Sequence, residues 1–253
     1  MNFAQVIFSA CMLSLLCFPA AQPNSRLQQP AAKTPAAQAK QESASAPAPF
    51  TEDKGRFRIV VAGTPAGRES FEISRSGANW VARGTSEVNA RGVTTHVTGV
   101  LTMAADGAPL RYDWTTQSAK KASAVVTFSG TSPTGTTATI NLRLEGAKPF
   151  TQQFFFKTPR VVILDNNLYH QYELLARMYD WNKKGVQNMA VLIPQEMTPG
   201  SVAVESLGTK QVGKSNMEEL RVRSEDLEID LYLDNGRLGR VVAPGSNAEA
   251  VRE

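Results

Sequence analysis

The feature that most constrains this chain is an alternation of apolar and polar side chains that begins near Phe50 and continues towards the C-terminus. In Thr137–Glu145, Ala138, Ile140, Leu142 and Leu144 fall on one face and Thr137, Thr139, Asn141, Arg143 and Glu145 on the other. That period of two belongs to a strand with one buried and one wet face. Leu227–Asp234 repeats it with Leu227, Ile229, Leu231 and Leu233 inward, and Val93–Met103 places Thr94, His96 and Thr98 outward.

Shorter stretches predict further strands at Arg56–Ala62, Glu69–Ser74, Trp80–Gly84, Arg111–Gln117, Ala124–Ser129, Gln152–Phe156, Arg160–Leu164, Gln187–Ile193, Ser201–Leu207 and Met217–Arg223, and after Gly236. Turn residues separate them, among them Gly63–Gly67, Ser76-Gly77, Asp106-Gly107, Ser132–Gly135 and Pro199-Gly200. Asp234-Asn235-Gly236 between two alternating runs is a hairpin signal. Many short strands without intervening helices predict an antiparallel sheet or barrel.

One helix is predicted, at about residues 168–181. Asp165, Asn166 and Asn167 supply N-cap residues, and Lys183, Lys184 and Gly185 suit its C-terminal end. At about 100° per residue, Leu168, Tyr172, Leu175 and Tyr179 form the centre of an apolar stripe. Leu174, Met178 and Trp181 widen it on one side, Tyr169 and Ala176 on the other. The arc exceeds what a helix lying on a flat sheet needs. The expected fold is therefore mainly β: a single antiparallel curved sheet or open barrel wrapped around one principal α-helix.

Phe154-Phe155-Phe156 and Val161–Leu164 place apolar groups on both faces of their strands, so the sheet there is covered on both sides. The following helix is the expected cover. Plain core packing accounts for this. The functional reading is an apolar groove between sheet and helix, lined by Phe155, Tyr172, Met178 and Trp181, holding a lipid or other apolar small molecule.

Residues 1–21 carry no charged side chain, and Val6–Phe18 is a 13-residue apolar run. It is shorter than the roughly 20 residues of a membrane span and fits the apolar region of an export signal. No Lys or Arg precedes it, and Cys11 and Cys17 are alternative lipidation points, so cleavage, lipidation and retention as an anchor all stay open. Residues 22–49 are rich in Ala, Pro and Gln, with Leu27 as their one large apolar side chain. Such a segment is a linker, with a coil dimension of roughly 30 Å. The expected organisation is an export signal or uncleaved anchor (1–21), a disordered linker (22–49) and the β domain (50–253). The protein is then exported, periplasmic or envelope-associated, and touches a membrane only through its N-terminus.

Cys11 and Cys17 are the only cysteines, so removal of the signal leaves no disulfide and no thiolate site. Of 27 basic and 23 acidic residues, three and one fall in the linker, leaving 24 and 22. That balance excludes a nucleic-acid surface. No phosphate-binding, dinucleotide or nucleophile-elbow motif occurs, and two histidines give no metal-ligand spacing, so no cofactor and no metal are expected.

His170, Glu173, Arg177 and Asp180 form a polar strip on the helix. It is expected to face solvent, with Glu173 and Arg177 as an i,i+4 pair. Its alternative use is a hydrolase with His170 as base beside Glu173 or Asp180. His96 reads as an exposed strand histidine. Asp226, Glu228, Asp230 and Asp234 form an outward acidic row beside Arg221 and Arg223, either ion-paired across strands or a docking face for an envelope protein partner.

A long antiparallel sheet curved around a helix, in an exported chain, is similar in outline to the lipoprotein-localisation carriers of the bacterial periplasm. That resemblance implies an acyl-binding half-barrel, with no motif to carry site residues across. Gly67–Ile73 followed by Trp80, and Leu164–Asn167 with Tyr172–Leu175 and Tyr179–Trp181, resemble uncharacterised bacterial envelope domains. The readings carried forward are a non-enzymatic envelope binding module, an envelope scaffold, and a hydrolase.

Overall fold

The computed structural model describes residues 50–253 apart from positions 91, 133, 184 and 226. The expected export segment and linker, with Lys184 and Asp226, lie outside the described residues. Fifteen strands form one sheet. They are β1 (Asp53–Val61), β2 (Thr64–Ser76), β3 (Asn79–Ala90), β4 (Val93–Met103), β5 (Pro109–Gln117), β6 (Lys121–Ser132), β7 (Gly135–Leu144), β8 (Phe150–Phe156), β9 (Val161–Ile163), β10 (Gln187–Ile193), β11 (Thr198–Val212), β12 (Ser215–Arg223), β13 (Glu228–Asp234), β14 (Arg237–Ala243) and β15 (Ala248–Arg252). A single α-helix among the described residues, α1 (His170–Met178), lies between β9 and β10.

The order across the sheet is β8 through β1, then β15 down to β9. Two meanders are thus joined by the antiparallel pairing of β1 with β15, and only β9 with β10 is parallel, across the helical connection. The two sheet edges, β8 and β9, are consecutive in the chain, and residues 157–160 connect them. At about 4.8 Å per strand a flat sheet of this size would be roughly 67 Å wide. The step from Phe156 to Val161 spans at most about 18 Å. The sheet has no choice but to curl until its edges nearly meet.

Local chemistry sets the strand ends. Asn235 and Gly236 have φ of 50° and 76°, the left-handed pair that a two-residue hairpin requires. Ala62 and Gly63 (φ 49° and 77°) make a turn of the same kind, so β2 begins at Thr64 rather than at the expected Glu69.

The concave face carries the core: Phe57, Ile59, Ile73, Tyr112, Ile140, Leu220, Leu231 and Leu238 are all at most 1% exposed. Inside it sits α1, shorter than its predicted span. His170, Gln171, Glu173, Leu174, Leu175 and Ala176 are all buried. The expectation that His170, Glu173 and Arg177 face solvent is therefore wrong. In a curled sheet a helix has no wet side, and its polar strip has to find protein partners.

The partner at the N-terminal end is Glu69 of β2. The asparagine-rich approach does not cap the helix: Tyr169 occupies the N-cap with helical dihedrals and no side-chain cap bond. The Glu69 carboxylate instead accepts the Tyr169 N–H at 2.7 Å and the His170 N–H at 3.3 Å. Its other oxygen lies 2.5 Å from His170 Nδ1. Gln171 and Tyr172 N–H groups donate to Leu168 and Tyr169 carbonyls at 3.3 and 3.0 Å, completing the first turn. A carboxylate there also faces the positive end of the helix dipole. Phe71 stacks on the His170 ring at 5.9 Å, and Gly84 makes room for it, because a Cβ at Gly84 would collide with both His170 and Glu69.

Glu69 and His170 are 0% and 1% exposed, so neither can fall back on water. Glu69→Ala should destabilise the protein by about 3–5 kcal/mol, because it leaves two buried backbone N–H groups and the His170 ring without their acceptor. Glu69→Gln, which keeps one acceptor, should cost less. Urea unfolding with a Glu69/His170 double-mutant cycle measures both. A loss below about 1 kcal/mol for Glu69→Ala would show that the carboxylate is not the helix's anchor.

Candidate binding cleft beside the helix

The chain reaches α1 through Leu164–Tyr169, which crosses from β9 towards the inner face of β13–β15. Asp165 has two backbone engagements. Its N–H donates to Gln171 Oε1 at 2.5 Å, and its Oδ1 accepts the Gln195 N–H at 3.0 Å. Asn166 Nδ2 donates to Glu196 Oε1 at 2.8 Å, and Asn167 takes a left-handed φ of 67°. Asp165 and Asn166, which with Asn167 were expected as helix caps, clamp the approach to the 3-10 turn Pro194–Glu196 that follows β10.

Between this approach and the sheet lies a cleft lined by Asp165–Tyr169, Tyr172, Ile229, Val241, Ala243 and Ala248. Its empty volume is about 360 Å³ with the open mouth included, and the centre of a water-sized group can occupy about 20 Å³ of it. That is room for about one water molecule.

Three atoms of the lining residues, Asp165 Oδ2, Asn167 Oδ1 and the Tyr169 hydroxyl, are buried without a hydrogen-bond partner. Burial pushes the Asp165 carboxyl up to about 7, against the Tyr112 hydroxyl and Gln195 N–H, which favour the charged form. Glu196, next to it, is also raised by burial. Burial raises the Tyr112, Tyr169 and Tyr172 hydroxyls as well.

At the other side of α1, Glu173 joins an ionic cluster. It pairs with Arg177, and its second oxygen lies 3.4 Å from Arg252 Nη1. Arg252 also holds Asp53 at 2.7 Å, tying β15 to β1 and to the helix. Burial, with Asp53 as its neighbour, lifts the Glu173 carboxyl to about 7 although Arg177 opposes this. Burial also acts on Asp53, but Arg252 and Glu173 outweigh it and leave that carboxyl lowered.

The four residues read from the sequence as an apolar groove do not meet. Phe155 projects from the outer face of edge strand β8 and is 68% exposed, while its neighbour Phe156 packs in the core. Trp181 lies beyond the helix, 43% exposed, edge-on to Tyr179 at 5.1 Å. Met178 is half-buried against the core. Only Tyr172 reaches the cleft.

The charged outer rows pair within the sheet. Arg221 binds Asp230 at 2.7 Å, and Arg223 binds Glu205 at 3.1 Å. His96 is exposed beside Glu87 at 3.4 Å. Sequence reasoning missed Glu69, Asp165, Tyr112 and Gln171 as a buried polar set. Glu69 had a readable signal: it falls in phase with Phe71 and Ile73 on the apolar face of β2.

A carboxyl near 7 in the folded state and near 4 when unfolded binds extra proton in the folded state between those values. Its contribution to stability is complete below about pH 4 and is lost as pH rises through about 7. Asp165→Asn removes one such group. Relative to the parent, the variant should gain roughly 2–3 kcal/mol between pH 5 and pH 8 in urea unfolding, at about 1.4 kcal/mol per pH unit crossed between the two pKa values. A difference independent of pH would mean that Asp165 is not protonated when buried.

No family model matches this chain, and no curated protein does. Among solved structures, a beta-barrel-like protein of the domain of unknown function DUF1849 from Brucella abortus is similar with a TM-score of 0.53 at 10% identity, covering 80% of this chain and 94% of that one. A DUF1089 family protein from Pseudomonas aeruginosa covers 70% of this chain and 90% of its own at TM-score 0.40 and 8% identity. Neither is described as a lipoprotein carrier. The first comparison supports a beta-barrel-like fold of the kind found in an uncharacterised bacterial domain.

Proposed function

We propose that this chain is a non-enzymatic binding module of the cell envelope that takes a small ligand with an apolar body. The observation that carries this reading is the cleft beside the helix. It opens to solvent, yet its walls are Leu168, Tyr172, Ile229, Val241, Ala243 and Ala248. A concave apolar surface with a few polar groups in its lining is the usual form of a small-molecule site. The cleft replaces the groove expected at Phe155, Met178 and Trp181. The cleft is small, so the ligand is a short apolar molecule, or a lipid of which one end enters.

The envelope setting rests on the apolar run Val6–Phe18 and the linker behind it. The non-enzymatic reading rests on where the buried His–carboxylate pair lies. A general base needs its substrate's proton within about 3 Å. His170 and Glu69 are sealed in the core and do not line the cleft.

A scaffold role is the second reading, and one feature favours it. Edge strand β8 exposes Phe150 and Phe155, at 52% and 68%, with no strand paired along its outer side.

The full chain, purified without detergent, should bind the neutral fluorophore N-phenyl-1-naphthylamine saturably. Ala243→Trp, which fills the cleft, should abolish that binding and leave the circular dichroism spectrum unchanged. Absence of saturable binding, or binding indifferent to Ala243→Trp, would contradict the proposal. Recovery of an envelope partner that Ala243→Trp leaves intact would favour the scaffold.

A further inference from the structure

Three of the exposed large apolar side chains gather at one place. Trp181, Val186 and Leu207 are 43%, 55% and 42% exposed. The buried Tyr179, at the C-terminal end of α1, assembles them. Its ring meets the Trp181 ring edge-on at 5.1 Å. Its hydroxyl donates to the Gly185 carbonyl at 3.2 Å and accepts the Ser206 N–H at 3.3 Å. Val186 follows Gly185 in the chain, and Leu207 follows Ser206. Apolar residues scattered singly over a surface need no explanation, but a group held together in this way does.

Charge and position say what covers it. The pairing of Val161 with Ala190 brings residues 157–160 beside the start of β10. The stretches 157–160, 181–186 and 207–216 together hold six Lys and Arg and no Asp or Glu. Two of these cations reach acids just outside the stretches, Lys183 to Asp180 at 3.5 Å and Lys210 to Glu219 at 3.1 Å. The surplus stays positive, and Lys157, Arg160 and Lys214 are exposed. A second copy docked here would set that surplus against itself. Antiparallel alternation from β1 through β15 to β10 places the start of β1, the β11–β12 turn and the start of β10 on one rim. The chain enters the fold at this rim: Arg177, two residues before Tyr179, donates to the Thr51 carbonyl at 3.1 Å. The apolar run Val6–Phe18 and the linker 22–49 precede that point in the sequence. A linker of that composition reaches roughly 30 Å, so a membrane holding the N-terminal run lies beside this rim.

We propose that the rim docks on an anionic phospholipid surface, with Trp181, Val186 and Leu207 at the boundary between headgroups and acyl chains and the surrounding cations on the phosphates. Indole rings favour that boundary, and each Lys or Arg near an anionic surface adds attraction. Apolar contact and charge act as two weak signals that hold only together. The inference goes beyond the binding-module reading, shares only its envelope setting, and does not depend on what the cleft holds.

Tryptophan fluorescence of the full chain tests it. Trp80 and Trp114 are each 3% exposed, so of the three tryptophans only Trp181 can meet lipid. The signal therefore reports on this rim even when the N-terminal run inserts into a vesicle. Phosphatidylglycerol vesicles with acyl chains brominated near the headgroup should quench the emission and shift it to shorter wavelength. Trp181→Phe should lose both effects. Val186→Asp with Leu207→Asp should abolish the quenching and leave the circular dichroism spectrum unchanged. Phosphatidylcholine vesicles brominated in the same way should quench far less, and added salt should weaken the quenching by phosphatidylglycerol. Unmoved emission from chain bound to phosphatidylglycerol vesicles would show contact through the N-terminus alone and overturn the proposal. Failure to bind these vesicles, or equal quenching by the two lipids, would overturn it as well. A blue shift that needs no vesicles and grows with protein concentration would assign the patch to a second copy instead. None of these outcomes alters fluorophore binding in the cleft, so the two readings fail separately.

Discussion

A single carboxylate on an otherwise apolar strand face, Glu69, sets the position of everything inside this sheet. A nine-residue helix has little stability of its own in water. Enclosed by a curled sheet, it also cannot leave its first N–H groups to solvent. Glu69 meets both needs, taking two backbone N–H groups and the His170 ring. At the other side the Glu173–Arg252–Asp53 contacts tie the same helix to the strands that join the two meanders. The helix is held by polar contacts at its N-terminus and along one side, and by the buried Leu174, Leu175 and Ala176.

The fixed helix start then decides the shape of the approach. Asp165 is held between Gln171 and Gln195, Asn166 by Glu196, and Asn167 turns left-handed. Together they hold Leu164–Tyr169 over the strands β13–β15 that form the other wall of the cleft. The side chains that anchor the helix and Asp165 of the cleft lining belong to one contiguous polar set, linked through Gln171 to the Tyr112 hydroxyl at 3.2 Å.

The strands were legible because their signal is local. Period-two alternation placed β4, β7 and β13 within about a residue or two, and Asn235-Gly236 turned as its residues require. The last strand, Ala248–Arg252, was not separated from β14 because it is five residues long and lacks a large alternating set. The helix was legible in place but not in orientation. Amphipathic reasoning assigns polar residues to water, and here His170 and Glu173 point at partners that fold in from β2, β1 and β15. Phe155 shows the same limit. Its alternation with Phe154 and Phe156 was right, but which face the sheet covers depends on β8 being an edge, and that follows from topology. The cleft was out of reach because the residues that line it are about 60–80 positions apart in the chain, and none is unusual in its own segment.

Amide hydrogen exchange at Tyr169 and His170 tests the central claim most directly. Their N–H groups donate to a buried carboxylate 100 and 101 residues away, so they should be protected almost to the level of global unfolding, unlike the frayed first turn of an ordinary helix. Protection of that size, lost in Glu69→Ala, is the predicted result. Exchange of both amides at the rate of exposed loop residues in the intact protein would mean that Glu69 does not hold the helix, and would contradict this account of the fold and its cleft.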